Sequence, residues 1–530
     1  MGKKEYGHDN PHEIEVSLPV ASNNLTFIEA GQHFLRLALP LAGTRWLSVS
    51  ADFVTVYMLS QIDATHLAAS GIISVTNQFV VTTSAMGLYA TAILQKPLLQ
   101  TESHRVGALL NTGYAFAVII AVAESVLLST ATKPLYTALG LSTSVVELVN
   151  RYFTALAMSG GLLAGLMTVP SQQTCYALNK PRVALAINIS RQILILFFSY
   201  GLLYGRLGMP KCDIAGLAYA RSIAAWGANL GYFIYFMLNA NDRNQYGLLR
   251  VDIRAMFKET PTFAKKTAML SFQTANEFLI SLFNMLAIGR VSDGQLVAAE
   301  IAMQYNNLLL IPVLVAGHAC AIQIGQHRNH LENVKAIMHM AMALTMLVPI
   351  VSIPIFATLP YQMASVFQSN SPDDSSVGAD TSLSDTVRWL LLIVACNQVP
   401  GTIRQVLSGT LRGLGDFNAP MLINFFSMTF LGIGTSYVLG EVLELESVGF
   451  FLGTSTGIVA GAAGLMIKWM SQKTPTEESL CLNSDSPPVE ETKSLISRAT
   501  SYVYSFWESN IHDKFSSPLS LHRQYGTTAP

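Results

Sequence analysis

The sequence predicts an all-α polytopic membrane protein with twelve transmembrane helices, and three observations lead there. Of its 530 residues, 51% are apolar and only 12% are charged, with a mean hydropathy of +0.40. An ordinary soluble chain carries about a quarter charged residues, so this chain cannot clothe a large globule in water. The charges that exist gather at the ends: residues 1–33 hold 7 and residues 471–530 hold 12, leaving 46 for the 437 residues between. That body divides into twelve windows of the roughly 20 apolar residues a bilayer-crossing helix needs.

Span 1 (34–60) carries Thr44, Ser48, Asp52 and Thr55 at i, i+4, i+8 and i+11, a polar stripe on one helical face. An acid on such a stripe can take up a proton or hold sodium with its hydroxyl neighbours, or it can form a structural ion pair with another helix. Pro40 bends this helix or serves as its hinge, because it removes a backbone hydrogen bond. Arg45 stands two turns from Asp52, too far for a direct pair within the helix. It is expected to hold a carboxylate on another span or to snorkel inward.

Spans 2 to 6 (66–94, 107–129, 150–176, 182–205 and 213–239) include Glu124, Arg191 and Arg221, read as structural or as helix-end groups. Span 7 (264–289) repeats the pattern of span 1 with Gln273, Glu277, Ser281 and Asn284 at helical spacing. Its oxygens suit a hard cation; the alternative is a glutamate satisfied by hydrogen bonds across the bundle. Span 8 (296–325) sets Glu300, Gln304 and Asn307 on one face. Glu300 is either a further functional carboxylate or a solvated group near a helix end. Spans 9 to 12 cover 334–358, 386–410, 419–440 and 448–470. Span 10 contains Asn397, Gln398, Gly401 and Arg404, with Arg404 read as a carboxylate partner.

Loop charges set the expected orientation. With both tails inside, Lys96, Arg105, Lys180, Arg182, Arg243, Arg250, Arg254, Lys258, Arg328, Lys335 and Arg412 fall in inner loops. Only Lys133, Arg206, Lys211 and Arg290 fall in outer ones. The basic segment 241–263 then divides six spans from six, as in transporters built from parallel repeats. A shift of 230 residues lays Ala68, Ala69, Asn77 and Gly87 on Ala298, Ala299, Asn307 and Gly317. The expected parts are an inner tail (1–33), a bundle (34–240), a linker (241–263), a second bundle (264–470) and an inner tail (471–530). In that last tail Leu495, Ala499, Tyr502 and Phe506 read as one face of an amphipathic surface helix or as chance periodicity.

Several functions are excluded. A net charge of −1 supplies no basic stripe for nucleic acid. Five scattered cysteines show no metal-ligand or redox spacing, and neither GxSxG nor HExxH occurs. An enzyme is not expected, nor are a metal or a cofactor, and the polar first 33 residues do not read as a cleaved leader.

The run LVAAEIAMQYNNLLLIPVLVAGHACAIQIGQ (296–326) resembles the second-half signature of the multidrug and toxic compound extrusion (MATE) transporters. So do LALPLAGTRWLSVSADFVTVYMLSQIDATHLAASG (37–71), LSGTLRGLGDFNAPMLIN (407–424), and Glu277 placed 23 residues before Glu300. The resemblance covers about 34–470. It implies two six-helix bundles forming a V around a central cavity that opens alternately to each side. It further implies export of organic, often cationic, compounds in exchange for sodium ions or protons.

On that reading Asp52, Thr55, Glu277 and Glu300 couple the ion. Thr44, Ser48, Gln273, Asn284, Gln304, Asn307, Asn397, Gln398 and Gly401 line the substrate cavity. Two positions depart from the family pattern: its first-span aspartate falls on Thr55 and its tenth-span aspartate on Gly401. The expected partners are a small organic substrate and the lipid bilayer of a plasma or inner membrane, around a monomer. Two alternatives remain: a flippase for a lipid-linked molecule, which predicts a more cationic cavity with lateral access, and a transport-dead scaffold acting through its tails.

Overall fold

The computed structural model describes residues 27–178, 180–248, 250–327, 331–367, 377–416 and 418–471. The proposed surface helix and Cys481 lie outside them, as do most of both tails.

Among the described residues the chain is almost wholly helical: α1 (Phe27–Ser60), α2 (Ala64–Asn77), α3 (Thr83–Gly87), α4 (Ala90–Thr101), α5 (Val106–Thr130), α6 (Thr132–Ala138), α7 (Thr143–Met158), α8 (Gly161–Ala177), α9 (Pro181–Tyr204) and α10 (Ile214–Leu238). There follow α11 (Ala240–Gln245), α12 (Ile253–Val291), α13 (Asp293–His327), α14 (Leu331–Thr358), α15 (Pro360–Ser365), α16 (Val377–Gly413), α17 (Asn418–Phe425), α18 (Ile433–Tyr437) and α19 (Glu446–Ser471). The pairs α2–α3 and α17–α18 are each joined by a π-helical stretch into one run. α7 and α8 meet at a 60° bend, where Gly160 adopts the left-handed conformation at φ +67° that a side chain would penalise.

Joined in this way, the chain makes twelve membrane-length runs, six in each half. Seven of the described helices are long and apolar enough to cross a bilayer, eight with the bent pair. The other four runs, α1, α2–α3, α10 and α12, fall short in apolarity or continuity.

Local chemistry explains several boundaries. Pro181 opens α9 at its first turn, where its missing N–H costs nothing. Gly205 closes that helix in the left-handed conformation. The Asp252 carboxylate accepts hydrogen bonds from the backbone N–H groups of Arg254 and Ala255, at 3.1 and 3.2 Å, and so caps α12. The cap starts α12 well inside the segment expected as linker, so IRAMFKETPTF (253–263) is helix, too polar for a hydropathy window to include. α1 likewise begins at Phe27, seven residues before the expected limit.

The halves repeat. Pro170 lies inside α8 and Pro400, 230 residues later, lies inside α16. Ser70 and Glu300, also 230 apart, meet across the approximate symmetry axis, where the serine hydroxyl donates to Oε1 at 3.5 Å. Between α13 and α16 the backbones touch through glycine: a Cβ on Gly409 would overlap the Gly317 carbonyl, the close approach that small residues allow in membranes.

The core is asymmetric along the helix axes. At the end of the molecule away from Phe27 and Ser471, one continuous apolar cluster joins both halves. It includes Leu59, Leu67, Ile72 and Tyr152 from the first half, with Met285, Leu296, Ile301 and Phe450 from the second. At the tail-side end the apolar groups are separate. Phe34 and Ala38 of α1 pack among Ile311, Ile337 and Leu411 of the second half, and Phe263 of α12 packs with Leu88, Leu109 and Leu166 of the first. The two repeat-related helices thus exchange their tail-side ends between halves.

Candidate functional site

In the first half, Asp52 meets a cation. The Arg221 guanidinium on α10 donates to Asp52 Oδ1 at 2.9 Å and to the Tyr152 hydroxyl at 3.2 Å. That hydroxyl also accepts from Asn77 Nδ2 at 3.4 Å. Arg191 lies within electrostatic range of both Arg221 and Asp52. Arg221, expected as a helix-end or structural group, is therefore the partner of the first-span acid. Ser48 accepts from Gln192 Nε2 at 3.0 Å. Thr55 is buried and donates to the Ala51 carbonyl at 2.8 Å, so its hydroxyl is turned back onto its own helix.

In the second half, Glu277 on α12 faces α16, with Oε1 3.8 Å from Arg412 Nη2. One face further into α16, Arg404 Nη1 donates to Asn424 Oδ1 at 3.2 Å. A Cβ built on Gly401 would meet no atom within 4 Å, so open space lies one turn from Arg404. His318 on α13 is exposed and sits within electrostatic range of Arg412, Glu277 and also Arg45. Arg45 is in turn within range of Tyr176 on α8, which places it between the halves rather than toward lipid. No carboxylate of the described residues forms an ion pair with Arg45, so of the two roles expected of it the held carboxylate is not found.

Glu300 belongs to the seal between halves. It is 1% exposed and accepts from Gln304 Nε2 at 2.6 Å and from the Ser70 hydroxyl. The solvated helix-end reading of this residue is excluded by that burial. Gln304 is correspondingly buried beside it. Asn284 does not line open space either: it is buried and its Nδ2 donates to the Phe450 carbonyl at 3.1 Å and to Thr454 Oγ1 at 2.6 Å. Gln398, also buried, donates to Asn306 Oδ1 at 3.1 Å, while Asn397 and Asn307 are half-buried. The side chains of Pro40, Thr44 and Gln273 lie outside the described set; α1 runs unbroken through residue 40.

The structure therefore brings Asp52 together with Arg221 and Arg191, and Glu277 together with Arg412, Arg404 and His318. Sequence reasoning did not single out His318 as part of a site. Its signal was available: it follows Glu300 by 18 residues, five full turns, and so shares that helical face. The pairing of Asp52 with Arg221 spans 169 residues and left no local pattern. At the tail-side mouth Arg105 bridges Glu102 and Glu259. Its hydrogen bond holds the Glu102 carboxyl below the usual range.

The sequence profile of the MatE family matches residues 270–438. A probable multidrug resistance protein NorM from Synechococcus is 24% identical over 457 residues, covering 84% of this chain and 95% of that protein. The chain is thus similar to MATE transporters over most of its length. A MATE transporter of the MOP superfamily in an inward-facing conformation shares the fold at a TM-score of 0.71 and 14% identity. That match covers 86% of this chain and 99% of the transporter. A eukaryotic MATE transporter does so at 0.66 and 14%, covering 84% and 97%. This chain therefore has the MATE fold of two six-helix bundles, with several helices apolar enough to cross a membrane.

Proposed function

We propose that this chain is a secondary antiporter that exports organic compounds in exchange for sodium ions or protons by alternating access. The observation that carries the reading is the asymmetric core: one cluster seals the far end across both halves, whereas the tail-side ends pack separately. Such an arrangement has an evident second state, in which the seal opens and the tail-side contacts close. With both tails cytoplasmic, as the loop charges suggest, the sealed end is external and the described state is open inward.

Asp52 and Glu277 are suited to coupling because each is a carboxylate beside a guanidinium, at 2.9 and 3.8 Å. A proton or sodium ion arriving at either would weaken that pair and bias the helices it joins. Thr55 on the stripe of Asp52, and Glu300 in the seal beside Gln304, complete the coupling set. Ser48, Asn307, Asn397 and Gly401, with Thr44 and Gln273, supply the polar wall, and Pro40 the hinge. The working protein is a monomer, its two bundles joined through the segment between α10 and α12.

The test is flux from proteoliposomes holding the full chain, with sodium and proton gradients imposed separately. One gradient should drive substrate movement, and Glu277→Gln or Asp52→Asn should reduce it about tenfold or more while the protein stays monodisperse. Absence of flux under both gradients, or full activity in both variants, refutes the reading.

A further inference from the structure

We propose that the open space beside Gly401 of α16 binds an anionic group, a carboxylate or phosphate carried on an organic molecule, through Arg404 and Arg412 of α16 and Arg45 of α1. The proposal rests on the transporter reading for the role of that space and deepens it by naming the substrate's charge.

Charge balance is the first support. Among the described residues, Arg404, Arg412 and Arg45 gather around His318 and Glu277, three guanidiniums against one carboxylate. Asp52 is engaged by Arg221, and Glu277 reaches Arg412 only at 3.8 Å, beyond hydrogen-bond distance. None of Arg45, Arg191 and Arg404 forms a close ion pair among the described residues; Asp52 acts on Arg191 and Glu277 on Arg404 only at longer range. Ionised groups at membrane depth are costly and normally pair with one another.

Unfilled donors are the second support. Arg404 Nε and both Nε and Nη2 of Arg412 are buried without a hydrogen-bond acceptor, and so is Arg191 Nε. A buried guanidinium donor left unmatched carries its full desolvation penalty. Several such donors on neighbouring side chains call for an acceptor the chain does not provide. Guanidinium is the side chain that receives carboxylate and phosphate in a planar, two-pronged fashion.

Gly401 is the third support. The resemblance expects an acid there, one turn from Arg404, and the chain has instead a glycine with no atom within 4 Å of its would-be Cβ. The missing acid therefore removes the local counter-charge and opens room beside the unfilled donors in one step. Arg404 and Arg412 lie eight residues apart, about 12 Å along α16, and lead inward from the tail-side end. Arg45 faces them from α1 across His318. A cationic substrate would have to enter against this surplus, which departs from the cationic class the family resemblance implies.

Binding is measured by calorimetry on the full chain in nanodiscs with no ion gradient. The probes are p-aminohippurate as a free organic carboxylate, dihexanoyl phosphatidate as a lipid phosphate, and tetraethylammonium as a cation. At least one anion should bind ten times more tightly than tetraethylammonium, and which anion binds more tightly identifies a free or a lipid-borne group. Arg404→Gln and Arg412→Gln should each weaken that anion tenfold or more. Gly401→Asp, which adds a carboxylate in open space and leaves both arginines in place, should do the same if either glutamine variant misfolds. Tetraethylammonium binding as tightly as both anions, no anion binding, or unchanged affinity in the folded variants overturns the proposal. Flux from proteoliposomes holding the same chain separates the two readings: anion binding without transport defeats only the antiporter. Transport of tetraethylammonium without anion binding defeats only the anion site.

Discussion

Two buried polar residues show how single side chains divide between holding the bundle and working in it. Asn284 spends its amide on α19 through Phe450 and Thr454. Asn284→Ala should therefore cost stability, about 1 kcal/mol, read as a lower thermal midpoint in detergent, while the KM for transport stays within twofold. A cavity residue would show the reverse. Glu300 is buried with two donors on Oε1. Glu300→Gln keeps an acceptor for Gln304 and relieves a buried acid, so stability should hold to within about 1 kcal/mol. Glu300→Ala leaves the Gln304 amide without its partner and should cost about 1–3 kcal/mol. A thermal melt of both variants checks the order, and equal losses would contradict the hydrogen-bonded assignment. The stripes containing these residues were legible from helical spacing alone. The partners of Asn284 were not, because Asn284 and Phe450 lie 166 residues apart and no local pattern records such a meeting.

At the scale of helices, glycine separates positions of contact from positions of space. Gly409 lies against the Gly317 backbone, so Gly409→Val must force α13 and α16 apart. Overpacking of this kind costs about 1–3 kcal/mol or more, and here it acts on backbone that cannot rotate away. Gly401→Ala on the same helix meets nothing and should gain up to about 1 kcal/mol from helix propensity. Unfolding midpoints of the two variants should therefore move in opposite directions. The helices themselves were the most legible level of this molecule, since twelve apolar windows reappear as twelve runs in the expected order. Misplaced limits share one cause. The charged first turns of α12 are capped by Asp252 and packed through Phe263, a tertiary reason for helix that hydropathy does not register.

For the molecule as a whole, the seal at the far end is the element on which alternating access turns, and it can be held shut. Gly71 of α2 and Glu300 of α13 face each other across the approximate symmetry axis. A Cβ built on Gly71 lies 3.4 Å from the Glu300 Cβ, close to the separation a disulfide requires. The nearer obstacle, Met285 Cε at 2.7 Å, is the end of a flexible side chain that can turn aside. In a chain whose native cysteines, including the free thiols Cys175, Cys212, Cys320 and Cys396, are replaced, Gly71→Cys with Glu300→Cys should oxidise readily. Oxidation should stop substrate flux while leaving binding from the tail side intact, and reduction should restore the flux of the reduced double variant. Glu300→Cys alone supplies the reference for the lost carboxylate. Flux that persists through full oxidation would show that the two halves do not part along this seam, and would place the moving interface elsewhere in the bundle.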